Sequence, residues 1–215
     1  MTIILYESDI LECKVKSTII IPLRFRWDLQ KTKYQQGDND FKGYIEKEVV
    51  FPISQIIDGL IEEHTEVEVI LVRTTSEERK TEHLVDEAKE EISEVLSAKD
   101  VVISFKTIDA PFSAERNKLG TLYRGLCESI SAETNIYVDL TYGPKYMPLV
   151  LFCALNYAEK YLDCNIKRIV YGLFDSIKGN AGVIGDFTPL YLLNTMGTMF
   201  DGTKDSFDVF AKTIL

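Results

Sequence analysis

The sequence predicts an α/β fold, a Rossmann-like and mainly parallel sheet with helices on both faces, and three observations carry that expectation. Apolar, β-prone runs alternate along the chain with segments whose apolar residues recur at helical spacing, the pattern of strands joined by crossover helices. One stretch, residues 135–163, shows the unit most clearly: a strand containing Ile136, Val138 and Leu140 turns within a few residues into a long helix. The third observation is scale. A chain of 215 residues with 46% hydrophobic content suits one packed domain spanning residues 1–215.

Taken in order, residues 1–6 suggest a short first strand, and residues 11–15 are too mixed to assign. Residues 17–23 form an apolar strand that leads straight into Arg24-Phe25-Arg26-Trp27. A long polar loop or insertion follows at about residues 26–48, and its turn signal Gly37-Asp38-Asn39-Asp40 predicts that it folds back as a hairpin. Pro52 opens a helix carried by Ile53, Ile56, Ile57, Leu60 and Ile61. Residues 66–72 form a strand running into Arg73-Thr74-Thr75-Ser76. There Thr75 and Glu78 have capping-box spacing ahead of an acidic helix with Leu84, Ala88, Ile92 and Val95 as its buried stripe. Residues 100–105 repeat the strand pattern and exit through Asp109. Ser113 is placed to cap the next helix, whose apolar face is Leu119, Leu122, Tyr123, Leu126 and Ile130. After the 135–163 unit come a strand at 166–171, a glycine-bearing turn or bulged edge strand at 180–188, and a helical end from about 189 to 215.

A net charge of −10 argues against broad nucleic-acid binding, DNA included, because such binding rests on an excess of Lys and Arg. An anionic ligand must therefore meet a local basic pocket. Much of the acidity lies in residues 77–94 and reads as the solvated face of a helix. No run of about 18 apolar residues marks a membrane span. The first residues lack the basic start and length of a secretory signal, so a cytoplasmic location is expected. Cys13, Cys127, Cys153 and Cys164 lie far apart and read as reduced core thiols. His64 and His83 have no partners at metal-ligand spacing and read as solvated surface, so neither metal nor cofactor is expected.

In parallel α/β sheets ligands gather beyond the carboxyl ends of the strands. Collecting those ends gives Arg24, Phe25, Arg26 and Trp27 after the first strong strand and Arg73, Thr74 and Thr75 after the second. Asp109 follows the third, and Thr141, Tyr142, Gly143, Pro144 and Lys145 the fourth. Arginines, helix ends and an indole at one edge would suit phosphates and a stacked purine. The fourth turn is the sharpest candidate. Pro144 fits the first position of a helix, Thr141 or Gly143 can cap the orphan N–H groups, and Lys145 adds an ammonium, which together outline an anion site. It is neither the P-loop G-x-x-x-x-G-K-[ST] nor the fingerprint G-x-G-x-x-G that a nicotinamide oxidoreductase requires. The plain alternative is a strand-helix connection with a surface lysine. Residues 149–155 are apolar on every face, which fits a helix buried on more than one side, a second subunit included.

With these residues in place, the chain resembles a CARF domain, the CRISPR-associated Rossmann-fold sensor of cyclic oligoadenylates. Asp139-Leu140-Thr141-Tyr142-Gly143-Pro144-Lys145-Tyr146-Met147-Pro148 is similar to the family's fourth-strand motif, departing from it at Tyr142 and Pro144. Ile169-Val170-Tyr171-Gly172, followed by Gly185-Asp186-Phe187-Thr188-Pro189, resembles the strand and Asp-x-Thr-Pro ending of one branch of the family. The resemblance implies a homodimer that holds cyclic tetra- or hexa-adenylate across its two-fold axis with the loops after the first and fourth strands. It further implies regulation of an effector in type III CRISPR antiviral defence. Residues 1–215 carry no effector pattern, and Arg79 and His83 stand one residue too close for a HEPN ribonuclease. The expected effector is thus a further domain of a longer chain or a separate protein. Two activities stay open: ligand binding alone, and a metal-independent ring nuclease. In the latter a ribose 2′-hydroxyl attacks the adjacent phosphate while Lys145 stabilises the developing charge. With no histidine expected at a strand exit, binding alone is the first expectation.

Overall fold

The structure, a computed structural model, describes residues 16–23, 31–76, 81–175, 181–199 and 202–214. The expectations for residues 1–15, for Arg24, Phe25, Arg26 and Trp27, and for Glu78 fall outside the described residues. The strands are β1 (Lys16–Pro22), β2 (Thr32–Gln35), β3 (Glu48–Val49), β4 (Glu66–Thr75), β5 (Val102–Pro111), β6 (Thr134–Asp139), β7 (Asn165–Asp175) and β8 (Ala181–Asp186). A 3-10 turn (Pro52–Gln55) precedes α1 (Ile57–Leu60), and the other helices are α2 (Glu82–Leu96), α3 (Arg116–Ser129), α4 (Met147–Tyr161), α5 (Thr188–Met199) and α6 (Lys204–Ile214).

The strands make one sheet in the order β3-β2-β8-β7-β6-β1-β4-β5. From β5 through β4, β1 and β6 to β7 every neighbour is parallel, whereas β8 runs antiparallel to β7. The protein is therefore an α/β, Rossmann-like, mostly parallel sheet. β1 lies within it because its apolar run is continuous: a strand covered on both faces needs Ile19 and Ile21 on one side and Ile20 on the other. Ile19 and Ile21 share a core with Leu84, Ala88 and Ile92 of α2. Ile20 packs in a second core with Leu122 and Leu126 of α3 and Leu151 and Leu155 of α4. The chain steps from β1 to β4 to β5 in one direction and from β6 to β7 in the other, so the winding reverses between β1 and β6. In sheets of this kind a ligand crevice opens at that reversal, beyond the carboxyl ends of the two strands.

Several local expectations change. The polar insertion does fold back, with Thr32 opposite Val49 and Lys33 opposite Glu48, but it also joins the sheet, because β2 pairs in parallel with β8. β8 is consequently an internal strand and not an edge. Space for this comes from Gly172 and Gly182, where a Cβ would overlap the Tyr34 ring of β2. The helix expected from Pro52 shortens to a 3-10 turn and one α-turn. Ile53, Ile56, Ile57 and Ile61 are all buried and Asp58, Gly59 and Leu60 are half-buried, so the segment is sunk into the core and not laid down as an amphipathic surface helix. β4 continues through Thr75 and α2 starts only at Glu82, so Thr75 is a strand residue and not a cap; β-branched Thr74 and Thr75 favour that extension. β5 likewise runs on to Pro111, which puts Asp109 inside the strand. Ser113 does not cap α3. Its hydroxyl accepts the Glu115 N–H at 3.2 Å, one turn ahead of a helix that begins at Arg116. Of the thiols, Cys164 is buried, Cys127 is half-buried and Cys153 is exposed, so the core reading fails for Cys153.

Candidate anion-binding site

The reversal point is built by the turn between β6 and α4. β6 ends at Asp139 and α4 begins at Met147, with Pro148 in its first turn. Pro144 is therefore three residues ahead of the helix, and neither Thr141 nor Gly143 caps it; the N-cap position is Tyr146, which makes no side-chain cap bond. The first helical donors are already used. Met147 N–H binds the Pro144 carbonyl at 2.8 Å, Pro148 has none, and Leu149 N–H binds the Tyr146 carbonyl at 3.1 Å. The donors that meet no acceptor among the described residues are the N–H groups of Gly143, Lys145 and Tyr146, in the turn itself. An anion here would be met by a run of turn amides, with the helix dipole behind them.

The turn is anchored to its neighbours on several sides. Gly143 has φ +100°, a conformation that L side chains rarely adopt, and a Cβ on it would press on Pro22 of β1 at 3.2 Å. The Thr141 hydroxyl accepts the Gly172 N–H of β7 at 2.8 Å, so it locks the turn to the neighbouring strand. Tyr142 donates its hydroxyl to the Val50 carbonyl at 2.9 Å on one face of the sheet. Tyr146 donates to the Pro111 carbonyl of β5 at 2.7 Å. Pro144 is buried, and between these anchors Lys145 stands exposed, with no ion pair among the described residues.

The other expected residues take different roles. Arg73 and Asp109 lie opposite each other in the β4–β5 ladder. Arg73 grips the Asp109 carboxylate with Nε at 2.8 Å and Nη2 at 3.0 Å, and a further contact reaches Glu82 at 3.6 Å. The bond to Asp109 holds the Arg73 guanidinium above its ordinary pKa. This pair is neutral as a unit, so it offers a phosphate much less than a free arginine would. Thr74 is buried with its hydroxyl unpaired, and the carbonyl of Thr75 accepts the Phe112 N–H at 2.9 Å, so both serve the strand end.

Three further residues stand at this edge. Arg116 opens α3 just beyond the end of β5, is exposed and has no ion pair among the described residues. His83, set aside as surface, is exposed but lies in the first turn of α2, next to the Glu82 that approaches Arg73. The third is Asp139, 1% exposed at the last position of β6. Its carboxylate accepts the Thr141 N–H at 2.9 Å and the Ile53 N–H at 3.0 Å. Burial pushes its pKa up to about 6, opposed by these donors and the Thr141 hydroxyl, while the charge of Glu91 adds to the rise. A lone Asp at the end of an apolar strand is the signal that could have found it.

The Asp-x-Thr-Pro element is also accounted for locally. Asp186 pairs with Arg168 and accepts the Thr188 N–H at 2.9 Å, while the Thr188 hydroxyl accepts the Ile169 N–H at 2.9 Å, so the motif starts α5 and pins it to β7. No protein-family model matches the chain, and no curated protein matches it either.

Proposed function

We propose that the protein is a CARF-like sensor that binds a cyclic oligoadenylate, cyclic tetra- or hexa-adenylate, as a homodimer and regulates an effector in type III CRISPR antiviral defence. The observation that supports this most is the 143–146 turn: free amides and the exposed Lys145 stand together at the winding reversal between β1 and β6. A phosphate there gains N–H donors and an ammonium without first breaking an ion pair. The dimer is supported by α4, whose outer stripe is built of the uncharged Leu149, Cys153, Tyr157 and Tyr161, with Leu149 70% and Tyr161 65% exposed and the Lys160 ammonium over the Tyr161 ring at its far end. A two-fold axis along that stripe would bring two turns together around one ring. Incubation with both rings, following binding and linear products together, tests the reading. Binding without new products is the result expected of a sensor, linear products would make the protein a ring nuclease, and no interaction with either ring would overturn the proposal.

A further inference from the structure

On the sheet face that carries α2, the 50–55 segment forms a polar hub in which Ser54 and Gln55 are buried. Two carboxylates hold this segment from opposite sides. Glu91 of α2 accepts the N–H groups of Val50 at 2.8 Å and Phe51 at 3.0 Å and the Ser54 hydroxyl at 2.6 Å. Asp139 of β6 accepts the Ile53 N–H through Oδ2, while its Oδ1 takes the Thr141 N–H of the candidate ligand turn. Tyr142 of that turn bonds the Val50 carbonyl and sets its ring edge-on to Phe51, centroids 5.9 Å apart. At the far end Gln55 accepts the Tyr34 N–H of β2 at 3.2 Å and donates to the Ile45 carbonyl at 3.1 Å.

Each oxygen of Asp139 is thus committed to a different segment. A shift of the turn away from the 50–55 segment would leave a buried carboxylate short of a donor, a costly state that favours concerted movement. We infer that the 50–55 segment is a coupling element that carries the position of the 141–146 turn to α2 and β2, with Asp139 as the positioning residue between turn and segment. Only the nature of the incoming signal rests on the ligand reading above; the linkage is a property of the fold. Glu91 is the charged group that bears on Asp139, the turn and the segment present N–H and hydroxyl donors to it, and β7 presents the uncharged Gly172 to Thr141.

The test follows backbone amide resonances from pH 8 down to pH 4.5 in the intact chain. Ile53 and Thr141 are expected to move with one midpoint near 6, with Val50 and Phe51 moving at the same midpoint although they bond Glu91 and not Asp139. Asp139→Asn should abolish that transition at all four positions. Should this variant fail to fold, Ser54→Ala serves, and its perturbation is expected to reach the Thr141 and Tyr142 amides. Val50 and Phe51 amides that stay flat, or that titrate with a separate midpoint, would overturn the coupling. A second arm adds saturating cyclic tetra- or hexa-adenylate and reads amide exchange. Changed protection in the 50–55 segment and α2 supports the inference, and binding that leaves both untouched overturns it while sparing the ligand reading. No binding together with a concerted pH transition would sink the ligand reading and leave the coupling standing.

Discussion

Asp139 shows how one residue can set both the order and the pH response of this site. Its folded pKa of about 6 lies above the ordinary aspartate value of 3.8, so the folded chain binds a proton more tightly than the unfolded chain between those values. The sign follows: its contribution to stability is fully present below the unfolded pKa and is lost as pH rises through about 6. Between pH 5 and pH 8 that loss amounts to about 1.4 kcal/mol. Denaturant melts at the two pH values should show the gap between wild type and Asp139→Asn moving in favour of wild type at pH 5 by this amount. An equal gap at both would mean that Asp139 is not the titrating group. Sequence alone picked out Lys145 and Gly143 because their chemistry is local. It passed over Asp139, because a carboxylate at the end of an apolar strand looks like the start of a polar loop until the donors from residue 53 are seen.

At the scale of elements, the strongly periodic pieces were legible and the paired ones were not. The β6–α4 unit and the stripe on α2 follow from apolar spacing within a few residues. The joining of β2 to β8 depends on Tyr34 finding hollows at Gly172 and Gly182, more than a hundred residues away, which no local pattern encodes. In the same way Arg73 and Asp109 each looked like a ligand group, and only the strand register reveals that they neutralise each other. The hollow at Gly172 is testable. A Cβ there would overlap both Pro52 and the Tyr34 ring, so Gly172→Ala should destabilise the fold by roughly 1–3 kcal/mol, the cost of overpacking a filled site. Denaturant midpoints would measure it, and an unchanged midpoint would mean that β2 is free to lift off β8.

For the whole molecule, the doubly wound order places the winding reversal where β1 and β6 end, and the anchors of the 141–146 turn tie it to the strands and segment around that edge. The α/β class was legible because alternation of element types survives small errors in boundaries. The proposed dimer is suggested in the sequence only by an apolar excess on α4, since a sequence cannot say which side of a buried helix remains uncovered. The outer stripe with Leu149 and Tyr161 leads to the expectation of a dimer at micromolar concentration. Light scattering should return twice the chain mass of 24.5 kDa, Leu149→Glu should shift it toward the monomer, and a monomeric wild type with and without cyclic oligoadenylate would remove the two-fold site.

The central claim is that Lys145 and the turn amides around it hold a phosphate, and calorimetric titration of Lys145→Ala with cyclic tetra- and hexa-adenylate tests it most directly. Because the side chain is exposed, the melting temperature of the variant should stay within about 2 °C of wild type. Loss of a charge-assisted hydrogen bond worth roughly 1.5–3 kcal/mol should weaken binding of whichever ring the wild type prefers by about ten- to a hundredfold per site. Unchanged affinity for that ring in a variant of unchanged stability would contradict the account.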